Sequence, residues 1–202
     1  MNSQSSGATP QGVQTRRLAN GLTIVGESLA DKRAGAWTLL VPSGSATEPQ
    51  GLDGLTGVLE GLSYRGAVGK HGTRRDSRQL SDALDDLGVD RGGGSDVEYT
   101  TFGGATLADY LPPALELYSD IARRPLFLQN DFKTEEFEAQ RVLALQALDS
   151  LEDNPARKMF VQLRRVYFPD NYGRSPLGTR EGLEALTLDA IRADHAARFR
   201  PD

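Results

Sequence analysis

Imidazole is scarce in this sequence of 202 residues: only His71 and His195 carry it, and there is no cysteine. A catalytic zinc site of the usual kind takes three protein ligands and keeps one position for water, so here it would need both histidines plus a carboxylate. His71 falls in the turn-like segment GKHGT, where a solvated loop side chain is the plainer reading. His195 lies four residues after Ile191 and four before Phe199, the spacing of one helical face, which reads as a packed or boundary side chain. A Ser/His/Asp triad has no serine in a G-x-S-x-G elbow to build on. The segment RGGGSD lacks the G-K-[ST] ending of a phosphate cradle and reads as a glycine-rich turn between two short strands. Glu135-Glu136 and Glu152-Asp153 fall on polar helix faces or near helix ends, where solvation and the helix dipole account for them.

One segment needs a further reason. GLTGVLEGL places Gly57 and Gly61 four residues apart on one face of an apolar helix, although each helical glycine costs about 1 kcal/mol relative to alanine. Close approach of another backbone element explains such a pair, and Glu60 would lie at the edge of that small-residue surface.

The elements that must position these groups are legible in outline. Ala19-Asn20-Gly21 between two strand-like runs predicts an opening β-hairpin, because Asn and Gly tolerate positive φ. AGAWTLLVPSGSA predicts a mostly buried strand ended by Pro42. Leu52, Leu55, Leu59 and Leu62 have helical spacing, and an amphipathic helix is expected from Arg74 to Leu87, stopped by Gly88. Pro112-Pro113 suits the first turn of a helix that ends before Pro125. The longest helical pattern runs from Asp131 to about Leu151, Pro155 can start another helix, and Thr187 can cap the last one. Strands come early and helices dominate later, which predicts an α+β domain: a mainly antiparallel sheet with helices packed on it. Residues 1–16 read as a disordered leader and 17–202 as the domain.

Composition removes several function classes. A net charge of −5 argues against nucleic acid as a partner. The longest uncharged stretch near the start, 34–47, falls short of the ~20 apolar residues of a membrane helix, so no membrane span is expected. The lack of cysteine leaves the compartment open: the cytosol is the first choice, and a periplasm reached by a signal since removed is the other.

The blocks LANGLTIV, GSATEPQGLDGLTGVLEGLSYRGA, EYTTFGGATLADYLPPALELYSDIARRPLF, FEAQRVLALQALDSLEDNP and PLGTREGLEALTLDAIRADHAARFRP occur in this order from Leu18 to Pro201. Together they resemble the amino-terminal domain of the pitrilysin/insulinase metallopeptidases, the M16 family that includes mitochondrial processing peptidase. That family carries an inverted zinc motif, H-x-x-E-H, in which two histidines hold the metal and the glutamate is the general base. Set against GLTGVLEGL, the resemblance puts Gly57 and Gly61 at the histidines and Glu60 at the base, a vestige once the metal is gone. The family's third ligand is a glutamate in a stretch like LEEI before EDNP, and Ala147 stands there.

The resemblance therefore implies a pseudopeptidase without zinc or any other cofactor. It also implies two partners: a homologous M16 subunit with an intact zinc motif, and an unfolded peptide that adds to an exposed strand edge. Gly93 and Phe102 are the expected ends of that edge strand. In the family a further strand and a second domain carrying an arginine and a tyrosine follow, so the chain reads as part of a longer subunit. Two other roles fit such a sequence: a scaffold subunit of a larger complex, and an active peptidase whose metal site is built from carboxylates with His71 or His195.

Overall fold

The computed structural model describes residues 12–201. Strands β1 (Val13–Arg17) and β2 (Thr23–Glu27) form the expected antiparallel hairpin, with Gly21 at φ 94° in its turn. Pairing begins at Val13, opposite Glu27, so the folded domain starts before the expected leader boundary at residue 16. Residues 1–11 lie outside the described residues.

β3 (Ala34–Val41) alternates between exposed and half-buried rather than being mostly buried, because helices cover only one face of its sheet. α1 (Leu55–Ser63) follows, beginning after Leu52, with Gly54 at φ 103° as its N-cap. Leu55, Val58, Leu59 and Leu62 sink one side of this helix into the interior, each contributing about 1.5–3 kcal/mol by burial.

β4 (Gly66–Val68) pairs with β5 (Arg74–Asp76), a small ribbon that takes the first residues assigned above to a helix. α2 (Ser77–Asp86) starts where Asp76 accepts from the Gln79 amide at 2.8 Å and Gln79 returns a bond to the Asp76 amide. Gly88, at φ 58°, ends it as predicted.

β6 (Asp90–Ser95) and β7 (Thr100–Leu107) form an antiparallel hairpin, and the sheet order is β3-β7-β6. The run Gly92–Gly94 is therefore strand and not turn; the reversal falls after it, where the Asp96 amide donates to the Tyr99 carbonyl. A Cβ on Gly93 would meet the Thr101 carbonyl oxygen, and φ there is 143°, so the strand needs glycine at that point.

Helices cover one face of this sheet. α3 (Leu111–Arg123) opens with the proline pair, and its Tyr118 hydroxyl donates to the Gly103 carbonyl at 2.7 Å. α4 (Thr134–Asp149) is two to three residues shorter at each end than its sequence pattern. α5 (Pro155–Tyr167), α6 (Arg180–Ala185) and α7 (Leu188–Arg198) follow, with Thr187 accepting from the Ala190 amide as the cap of α7. One core joins the sheet to α2 and α3 through Phe102, Leu80, Leu84 and Ile121. A second joins α1 to Phe127, Phe137, Leu183 and Ile191.

Candidate functional site

A buried acid sets the position of α1. The amides of Gly54 and Thr56 and the Thr56 hydroxyl donate to the Glu48 carboxylate at 2.9, 2.8 and 2.7 Å. Burial pushes the Glu48 carboxyl above its ordinary range, and the bonds from Thr56 and Gly54 oppose that rise. A carboxylate is favoured here because the N-terminal amides of a helix lack intrahelical acceptors. The Ser95 hydroxyl donates to Thr56 Oγ1 at 2.8 Å, which ties the start of α1 to the end of the edge strand β6.

Gly57, Glu60 and Gly61 lie on the half-buried side of α1. A Cβ on Gly57 would have only the Pro176 carbonyl oxygen near it, at 3.6 Å, so there is room for a side chain. At Gly61 the space is taken: the side-chain amide of Gln140, from α4, lies where a Cβ would be. Arg65 Nη2 donates to Gln140 Oε1 at 3.1 Å and holds that amide in place. Glu60 makes no hydrogen bond or ion pair among the described residues, and burial pushes its carboxyl up to about 7.

Ala147 stands two helical turns beyond Gln140, about 10 Å along α4, and is exposed. Seven residues is close to two turns, so both occupy nearly the same face of that helix. The fold thus brings Gly57, Glu60 and Gly61 to one surface and sets Gln140 into it, while Ala147 is exposed. Sequence patterns alone do not single out Gln140, Arg65 or Glu48. For Gln140 the available signal is its spacing of seven from Ala147; for Arg65 it is its place four residues after Gly61.

Gly93 lies on β6, one of the two edge strands of the three-stranded sheet, and is exposed. Phe102 does not belong to that edge: it is on the central strand β7, opposite Gly93, and 0% exposed. Its large apolar ring gains most from leaving water, which is why the register turns it inward. The β6 edge runs over Asp90–Ser95, about 20 Å of backbone that three glycines leave bare of side chains.

His195 is packed, as its spacing predicts. Its Nε2 donates to the Ala122 carbonyl at 2.8 Å, its ring stacks on Phe199 with centroids 4.4 Å apart, and burial pulls its pKa below the ordinary value. His71 is exposed in the turn between β4 and β5. Among the described residues no group of three or more His, Asp or Glu is placed to hold a metal ion, and no helix is long and apolar enough to cross a membrane.

An antiparallel sheet with helices on one face makes this an α+β domain, with an isolated glutamate on a helix beside a bare strand edge. Residues 23–180 match the family described as Insulinase (Peptidase family M16), and the chain belongs to that family. It is 29% identical over 190 residues to an uncharacterized zinc protease of Streptomyces coelicolor, covering 94% of this chain and 39% of the relative. It is 26% identical over 177 residues to the mitochondrial-processing peptidase subunit beta of Neurospora crassa, covering 86% of this chain and 35% of that one. Among solved structures, the peptidase M16 inactive domain from Pseudomonas fluorescens superposes with a TM-score of 0.78 at 20% identity, covering 92% of this chain and 43% of that one. A protease from Helicobacter pylori superposes with a TM-score of 0.82 at 21% identity, covering 95% and 44%. The chain spans about two fifths of the length of these relatives.

Proposed function

We propose that this domain is a pseudopeptidase: it holds no zinc, binds unfolded peptide along the edge of β6, and works beside a homologous M16 subunit whose zinc motif is intact. The observation that carries this reading is the side of α1 next to β6. Zinc needs nitrogen, sulfur or carboxylate donors in a tetrahedral set, and Gly57, Gly61 and Ala147 supply none, while the Gln140 amide fills the place of a side chain at position 61. The residues present do not fit the metal, and Glu60 has no metal-bound water to deprotonate.

What remains suited to a peptide is the strand edge. Main-chain hydrogen bonds to Asp90–Ser95 would bind an extended chain of varied sequence. The pairing is supported by α5, which is turned inside out. Met159, Phe160, Leu163, Val166 and Tyr167 form an exposed apolar stripe, with Val166 86% exposed, while Lys158, Val161 and Arg164 lie on the half-buried side. Such a face is suited to docking, which the pairing requires. The Pseudomonas fluorescens neighbour named as an inactive domain supports the loss of activity.

The test is direct. Purified protein is assayed for bound zinc, for peptide hydrolysis, and for binding of a fluorescent unfolded peptide with and without a chelator. Binding that is indifferent to chelation, with no hydrolysis, is expected; stoichiometric zinc with cleavage abolished by chelation would overturn the reading.

A further inference from the structure

Beside the β6 edge, and lined in part by Gly61, lies a cavity of about 260 Å³. Tyr64 and Arg65 wall it from the end of α1, Ser77 and Ser81 from α2, and Arg91 from β6. Arg91 reaches it because of the strand register. Gly93 pairs with Phe102, whose ring faces the helices, and Arg91, two residues away, therefore projects to the same side.

The charges around this cavity do not balance. Arg91 is shared with Asp85, Nη2 to Oδ1 at 2.6 Å. The half-buried guanidinium of Arg65 has a neutral amide, that of Gln140, as its hydrogen-bond acceptor, and it forms no ion pair among the described residues. Ser77 and Ser81 stand one turn apart in the first turns of α2, their hydroxyls unengaged among the described residues, where the helix dipole adds partial positive charge. In a larger cleft of about 620 Å³ elsewhere most charged groups are joined in pairs, Arg180–Asp149, Lys158–Glu152 and Arg174–Asp53.

A cation would be repelled from the smaller cavity, and an apolar group would bury a guanidinium without compensation. A carboxylate fits, since it accepts from a guanidinium fork and from hydroxyls together. The volume accommodates a side chain of that size. Side chains of a strand added to β6 alternate in direction, so a residue facing Arg91 on the helix side points at this opening. We infer that the cavity walled by Arg65, Arg91, Ser77 and Ser81 is a subsite for an aspartate or glutamate side chain of a peptide aligned on β6. This rests on the peptide-binding reading above and adds a sequence preference to it.

The test uses the protein and a set of fluorescent extended peptides, neutral throughout except for one glutamate moved through successive positions, with glutamine at the same positions as control. At one register the glutamate peptide should bind about tenfold more tightly than its glutamine twin. That ratio should fall to about one in Arg65→Gln and shrink in Ser81→Ala, the loss falling mainly on the glutamate peptide. If every glutamate peptide binds the unmodified protein no better than its glutamine twin, the subsite is refuted and the edge-binding reading stands. If none of the peptides binds, both fall together.

Discussion

The side-chain amide of Gln140 occupies the space a Cβ on Gly61 would need, and the Arg65 guanidinium fastens it there through a 3.1 Å bond to Oε1. A position that the family resemblance assigns to a metal ligand is thus packed by a neutral amide from the neighbouring helix. Gly57, one turn earlier, keeps open space. The two glycines therefore differ in kind: one is filled from α4 and the other has room for a side chain.

This difference governs any attempt to rebuild a metal site. Gly57→His, Gly61→His and Ala147→Glu together should bind zinc weakly, because the new imidazole at 61 must first displace Gln140. Adding Gln140→Ala should raise zinc affinity by about tenfold or more. Competition against a chromophoric chelator measures both; equal affinities in the triple and quadruple variants would show that Gln140 does not obstruct the site.

Glu60 makes stability depend on pH. Its folded pKa, about 7, lies above the ordinary 4.5, so its favourable contribution is complete below about 4.5 and is lost as pH rises through about 7. Glu60→Gln removes that loss. The variant should match the parent near pH 4 and exceed it by about 3 kcal/mol at pH 8, since each tenfold difference in proton affinity between the folded and unfolded chains corresponds to about 1.4 kcal/mol. Urea denaturation across this range tests it, and parallel curves for the two proteins would refute it.

Glu48 is the residue on which the placement of α1 depends. Glu48→Ala leaves the Gly54 and Thr56 amides without their acceptor and should cost about 2–4 kcal/mol. Glu48→Gln keeps one acceptor oxygen and should cost less than half as much. A denaturation midpoint unchanged in the alanine variant would mean that water replaces the carboxylate without loss.

The α5 stripe separates folding from assembly. Val166→Asp and Phe160→Asp alter side chains that are 86% and 62% exposed, so stability of the domain should move by no more than about 0.5 kcal/mol. Association with an M16 partner, read by light scattering during gel filtration, should be lost. Intact association in both variants would place the contact elsewhere.

Local chemistry is legible in the sequence wherever one or two residues dictate the backbone. The Asn20-Gly21 turn, the proline-led starts of α3 and α5, the Thr187 cap and the Gly88 stop all occur where their residue types require them. The Gly92–Gly94 run reads as a turn because glycine serves turns and strands alike, and only pairing with Gly103, Phe102 and Thr101 makes it a strand. The β4–β5 ribbon escapes notice because its strands have three residues each, too few to show alternation.

By itself the sequence determined the order and type of most elements, the α+β class and the absence of donor side chains at positions 57, 61 and 147, since propensity, capping and side-chain chemistry act within a few residues. Only the tertiary structure decided that Gln140 fills the space at Gly61, that Phe102 belongs to the core and not the edge, and that Arg65 and Arg91 meet around one cavity. Those outcomes depend on contacts between segments far apart in the chain, 75 residues in the case of Arg65 and Gln140, and such contacts follow from packing helices against the sheet in one core and against one another in the other. No local pattern encodes them.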